Sequence, residues 1–149
     1  MIEIYTDGAC RSNNRPGRQL GSWAVIILKN NETKDSFGGY EKLTTNNQME
    51  LTAILQALQY IEHNNLNDEI TIYSDSAYCI NSINLWMDGW NKRNWTNVKN
   101  VELLKPIFLL KNKLNNVKYN HIRGHNGNHG NELADKLCNS ILDNVFSGG

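Results

Sequence analysis

Residues 4–7 read Ile4-Tyr5-Thr6-Asp7, and residues 72–75 read Ile72-Tyr73-Ser74-Asp75. Each stretch ends a strand-like run. In each, the two-residue period of a strand puts the tyrosine and the aspartate on one face. Laid side by side in parallel, the two strands carry Asp7 and Asp75 at the same end of the same face. Neighbouring strands lie about 4.8 Å apart, close enough for the two carboxylates to share a cation. Ligands also gather at the carboxyl edge of sheets in α/β proteins. Chance competes with this reading, because aspartate often ends strands, and two helix N-caps would also account for the pair.

Outward from this pair, the chain divides into alternating elements. Residues 2–10 form a first strand, with Ile2, Ile4 and Thr6 opposed to Glu3, Tyr5 and Asp7. A loop over residues 11–20 is marked by Asn13, Asn14, Pro16 and Gly17. Residues 21–28 form a second strand, whose Trp, Val and Ile content predicts burial on both faces. Residues 33–40 form a third, weakened by Gly38 and Gly39. Thr45 then caps a long helix and Gln48 completes a capping box. Leu51, Ile54, Leu55, Leu58 and Ile61 make its buried face, and it ends near residues 63–65. Residues 69–75 are a fourth strand, 77–85 a helix, and 86–100 a polar and aromatic excursion. A helix over 101–114 contains Pro106, a threat to its continuity. Residues 117–122 are a fifth strand and 131–145 a closing helix. Three strands followed by alternation predict an α/β fold: a mixed five-stranded sheet flanked by helices. The first three strands are antiparallel, and the fourth and fifth run parallel to the first. Residues 1–146 are expected to form one domain and 147–149 a flexible tail.

Composition bounds the function without naming it. The chain has 149 residues, 40% hydrophobic and 20% charged, as a folded domain should. No segment approaches the roughly 20 apolar residues of a membrane span. The N-terminus lacks the basic and apolar regions of a signal peptide, so a cytoplasmic protein is expected. Cys10, Cys79 and Cys138 form no C-x-x-C pair, which argues against zinc and for reduced thiols. The formal net charge is +0, so any grip on a polyanion must come from a local patch.

Two further acids extend the aspartate pair. Glu50, in the first turn of the long helix, begins a stripe continued by Ile54, Ala57 and Ile61 that faces the sheet. A charge there needs a partner; the competing reading is a glutamate serving the helix dipole. Asp135 heads a stripe with Cys138 and Leu142, or else lies on a solvated helix edge. Four converging carboxylates repel one another unless cations are bound. Oxygen-only ligands favour Mg²⁺ or Mn²⁺ over zinc. His125, between Gly124 and Asn126-Gly127, suits proton transfer or product release. Nearby His129 competes for that role, and a loop histidine is often only a surface residue.

Taken together, the segments Thr6-Asp7-Gly8-Ala9-Cys10, Thr44-Thr45-Asn46-Asn47-Gln48-Met49-Glu50-Leu51, Tyr73-Ser74-Asp75-Ser76, Gly124-His125 and Asn131-Glu132-x-x-Asp135 resemble type 1 ribonuclease H in order and spacing. The likeness spans nearly the whole chain. It implies an endonuclease that hydrolyses the RNA strand of RNA–DNA hybrids and leaves 5′-phosphate and 3′-hydroxyl ends. Asp7, Glu50, Asp75 and Asp135 would hold two Mg²⁺ ions, with Mn²⁺ as a substitute, and His125 would assist. Cys10, Ser12 and Asn13 would contact the hybrid, and Asn46 and Asn47 would reach its minor groove, where the 2′-hydroxyl marks RNA. A monomer without membrane attachment is expected.

Residues 86–99 resemble the family's basic protrusion. Trp86, Trp90 and Trp95 interleave with Lys92, Arg93 and Lys99, a mix that suits a nucleic-acid backbone with exposed sugar and base faces. A small satellite core is the competing reading for the tryptophans, and one face can pack while the other binds. The resemblance would line the DNA channel with Tyr78, Trp86 and Trp90, and give a DNA phosphate to Thr45 and Asn100. Some features depart from the pattern. Ala77 stands where a polar residue often follows the Asp-Ser pair. The loop after Asn13 is longer, and the protrusion carries Asp88 among only three clear cations. A complete chemistry with a weaker grip on the hybrid is expected. The alternatives are another nuclease of the same superfamily and a non-catalytic hybrid-binding module. The former lacks the Asn46-Asn47 pair and the tryptophan-rich protrusion; the full acid set argues against the latter.

Overall fold

The computed structural model describes residues 1–12, 19–123 and 128–148. Five strands build one sheet: β1 (Ile2–Arg11), β2 (Leu20–Lys29), β3 (Glu32–Lys42), β4 (Ile70–Ser74) and β5 (Val117–His121), in the spatial order β3-β2-β1-β4-β5. β1, β2 and β3 pair antiparallel, while β4 runs parallel to β1 and β5 parallel to β4. This is the expected mixed sheet. In its register Tyr5 lies opposite Tyr73 and Thr6 opposite Ser74, so Asp7 and Asp75 come next side by side; β4 ends there as expected, whereas β1 continues to Arg11 beside β2.

Period-two alternation sorts the side chains of β1 and β2 between two cores. Ile2, Ile4, Val25 and Ile27 pack with α1 (Asn46–His63) and α4 (Val101–Lys113). Tyr5, Ile26 and Leu28 pack with Ala134 of α5 (His129–Gly148) on the opposite face. Each fully buried Ile or Leu contributes about 1.5–3 kcal/mol. Residues 24–28 of β2 are all buried, as expected of a strand covered on both sides. Gly38 and Gly39 serve close packing in β3: a Cβ at Gly38 would stand 2.5 Å from the Trp23 carbonyl oxygen, and one at Gly39 2.8 Å from the Trp23 ring.

Thr45 caps α1 in a complete capping box with Gln48. The buried face carries Leu51, Ile54, Leu58 and Ile61 as expected, while Leu55 is only partly buried. Pro106 lies inside α4 without breaking it. Its missing donor falls on the carbonyl of Glu102, an exposed residue in the first turn.

Two expectations change. The helix predicted over 77–85 ends sooner as regular α-helix: α2 (Ala77–Asn81) passes through a π-helical turn (Ser82–Trp86) into α3 (Met87–Lys92). Half of the supposed excursion is therefore helical. Ile83 within the wide turn and Met87 just after it are both fully buried. At the C-terminus, α5 continues through Ser147 to Gly148, two residues into the expected tail. There the Ser147 hydroxyl donates to the Asn144 carbonyl at 3.3 Å, satisfying one of the last helical acceptors. Among the described residues no helix is long and apolar enough to cross a membrane.

Candidate active site

Three elements bring three carboxylates to one edge of the sheet. Asp7 lies inside β1, just past the point where its pairing with β4 ends, Asp75 follows β4, and Glu50 comes from α1 on the other face. One oxygen of each lies within 4.8 Å of the others. Gly8 permits this approach. A Cβ there would stand 2.4 Å from the Glu50 nitrogen and 2.5 Å from the Met49 carbonyl carbon, so any side chain would push the start of α1 away from β1.

Helix capping accounts for none of the three. α2 is capped by Ser76, whose hydroxyl accepts from the Cys79 N–H at 3.2 Å. β1 runs four residues past Asp7. Glu50, expected in the first turn of α1, is its fifth residue, and the first turn holds no acid. The dipole reading therefore fails for Glu50, which is buried at 7% exposure.

Packing leaves these acids short of countercharge. Asp7, 5% exposed, accepts a short-range bond from the Gly8 N–H at 2.9 Å. Glu50 Oε2 is buried without a hydrogen-bond partner among the described residues. Burial first, then the charge of Asp75, pushes the Asp7 carboxyl up. Burial and then the charges of Asp7 and Asp75 push Glu50 up, and burial raises Asp75. Such a cluster either takes up protons or binds cations. Its donors are all hard oxygens, which fits a Mg²⁺-class ion.

Asp135 stands apart from the tight group of three. It is half-buried on α5, yet its charge raises both Asp7 and Asp75, so it borders the same edge. His121, which sequence reasoning passed over, closes the edge at the end of β5. Its ring Nε2 lies 3.2 Å from the Asp75 carbonyl. The only sequence signal for it was its place at the end of the third parallel strand. His125 and Asn13 lie outside the described residues. Cys10 is half-buried and Ser12 exposed at the end of β1, and Arg11 beside them binds Asp143 at 2.5 Å and Asn139 at 2.7 Å on α5.

A second concavity of about 310 Å³ lies beside the start of α1, lined by Asn47, Tyr78, Trp90, Arg93, Lys99 and Asn100 among others. It unites residues from both ends of the expected DNA channel. Asn46 and Thr45 are exposed next to Asn47, and the Asn100 amide donates to the Tyr78 hydroxyl at 3.2 Å. Lys92, Arg93 and Lys99 are all exposed. The tryptophans divide between packing and surface. Trp95 is 6% exposed and meets Phe108 edge to face at 5.7 Å, whereas Trp86 is 41% exposed and Trp90 bridges the two. Trp95 thus packs, though into the main core rather than a satellite one, while Trp86 faces solvent.

Known proteins are similar to this chain over nearly all of its length. A family model described as RNase H matches residues 1–142. The ribonuclease H of Nitrosomonas eutropha is 40% identical over 155 residues, covering 98% of this chain and 92% of that protein. That of Francisella tularensis subsp. novicida is 42% identical, covering 95% and 90%. Among solved structures, LC9-RNase H1, a type 1 RNase H with the type 2 active-site motif, superposes with a TM-score of 0.78 at 26% identity, over 93% of this chain and 70% of that one. LC11-RNase H1 in complex with RNA/DNA hybrid shares the fold with a TM-score of 0.71 at 23% identity, over 98% and 99%.

Proposed function

This chain belongs to the ribonuclease H family, and we propose that it hydrolyses the RNA strand of RNA–DNA hybrids at the carboxylate edge, leaving 5′-phosphate and 3′-hydroxyl ends. The observation that carries the reading is the trio Asp7, Glu50 and Asp75, the first two buried and the third half-buried, with ligand oxygens within 4.8 Å of one another. Such a trio is costly to keep unless a cation joins it.

In this reading Asp7, Glu50 and Asp75 hold one divalent ion, and Asp135 helps Asp7 hold a second. Mg²⁺ is the proposed ion and Mn²⁺ its substitute. Bound there, two such ions supply an activated water and stabilise the charge on the leaving oxygen. The protein's part is to keep the four carboxylates fixed and to seat the duplex. Asn46 and Asn47 face the minor groove, where the 2′-hydroxyl identifies the RNA strand. Tyr78, Trp86 and Trp90 receive the DNA strand, with Thr45 and Asn100 on a phosphate and Lys92 and Arg93 on the backbone beyond. Cys10, Ser12 and Asn13 touch the RNA side, and His125 moves a proton or eases product release. The working form is a cytoplasmic monomer.

The test is direct. With Mg²⁺, the protein is expected to cleave a labelled RNA–DNA hybrid and to spare single-stranded RNA, RNA duplex and DNA duplex. An intact hybrid, or equal cleavage of all four, rejects the reading.

A further inference from the structure

α5 carries a buried polar group that the four-carboxylate arrangement leaves unused. Asn131 is 4% exposed, and its side-chain oxygen has no hydrogen-bond partner among the described residues. A buried, unpaired oxygen is costly to keep, so this one calls for a donor beyond the described protein groups.

The helix indicates where that partner lies. Asn131 precedes Asp135 by four residues and Cys138 by seven, so the three share one stripe of α5. Cys138 is fully buried. The Ser22 hydroxyl donates to its carbonyl at 2.9 Å, and Ser22 pairs with Ala9 of β1, two residues past Asp7, which places this stripe against β1 beside the carboxylates. The first turn is clamped in position. The Asn131 N–H donates to the Asn128 side chain at 3.0 Å. Gly130 lies so close to Tyr5 that a Cβ would come within 2.1 Å of its ring. Tyr5 in turn stacks on Tyr73 at 4.8 Å, and these rings stand two residues before Asp7 and Asp75. Asn131 therefore approaches the edge from the α5 face, as Glu50 approaches it from the α1 face.

We infer that Asn131 is a positioning residue for the divalent-cation site, its carboxamide oxygen accepting a hydrogen bond from a water of the ion's hydration shell beside Asp135. The inference rests on the metal reading above. A neutral amide suits the place, because it orders a water without adding a fifth negative charge to an edge already short of countercharge.

Calorimetric titration of Mn²⁺ into the metal-free protein tests it. Asn131→Leu, similar in volume but without the oxygen, is expected to bind Mn²⁺ about 10-fold more weakly, as removal of an outer-shell partner does, with the KM for hybrid unchanged. Asn131→Asp keeps the shape and adds a charge, which guards against a folding defect in the leucine variant. It is expected to bind Mn²⁺ more tightly than the wild type and to lose thermal stability only in the absence of the ion. Wild-type affinity in both variants, or an Asn131→Asp penalty that persists in saturating Mn²⁺, overturns the inference. An isotherm unaffected by Asp7→Asn would instead overturn the metal site itself, and Asn131's part with it. One abolished in Asp7→Asn but untouched by either Asn131 variant rejects Asn131 alone.

Discussion

The carboxylate edge and the tryptophan cleft lie on either side of the first turns of α1, yet they are built by opposite means. The edge is held by the core. Asp7 and Glu50 are buried, and Gly8 leaves no room for a side chain between their elements. The cleft is held by short segments. A five-residue π-helical turn and a six-residue helix lead into a stretch where Asn94, Trp95, Asn97 and Asn100 all take positive φ. The edge cannot relax away from its own repulsion, which prepares it for a cation. The cleft buries one indole and leaves its cations in water, where each charge acts nearly independently.

The contrast can be broken at several points. Asp7→Asn should lower turnover by about 1,000-fold, or about 4 kcal/mol in the barrier. Hybrid binding should persist, and the metal-free Tm should rise because a repulsive charge is gone. Near-normal turnover would show that the edge is not the reaction centre. Gly8→Ala should cost about 1–3 kcal/mol of stability, the usual range for overpacking. Denaturant melts measure it, and a neutral result would mean that α1 can slide on β1. Replacing Lys92, Arg93 and Lys99 together by Ala should leave kcat nearly intact. It should raise KM and flatten the salt dependence by about one unit of slope for each phosphate that the variant no longer neutralises. An unchanged slope would remove the cleft from the binding surface.

The smallest effect is one of pH. Burial raises the folded-state proton affinity of Asp7 from its ordinary 3.8 to about 7. The folded protein therefore holds more protons than the unfolded chain in that window. Metal-free stability should be fullest below it and should fall as pH rises through it. Asp75→Asn, which removes the neighbouring charge that helps burial raise Asp7, should flatten the fall, and saturating Mg²⁺ should erase it. A metal-free Tm that climbs across the same window would contradict the burial of these acids.

The edge was legible because it rests on periodicity. Two-residue alternation in β1 and β4 fixed which face Asp7 and Asp75 share, and the Thr45–Gln48 box fixed where α1 starts. A first-turn place for Glu50 contradicts that same box, which makes it the fifth helical residue. The cleft was less legible because helical spacing fails there. A π-helical turn adds a residue that no 3.6-residue pattern anticipates, and Trp95 is buried by a left-handed turn that its type disfavours. Among the described residues, six of the eight non-glycine positions with positive φ are asparagines. The abundance of asparagine was thus itself a signal of tight turns, carried by a side chain that tolerates them.

Thr45 links the two regions through one oxygen. That oxygen accepts from the Gln48 N–H at 3.1 Å, while a hydroxyl keeps its own proton to give away. The atom that starts α1, and so sets the depth of Glu50, can offer that proton to an anion without releasing the helix. Aspartate at this site would still start the helix, since it too accepts from the cap N–H, but it would meet a phosphate as a like charge. Among the other good caps, serine and asparagine also pair an acceptor with a donor. With the phosphate proposed for this site, the position is thereby narrowed to caps that can also donate, a limit that neither folding nor binding would impose separately.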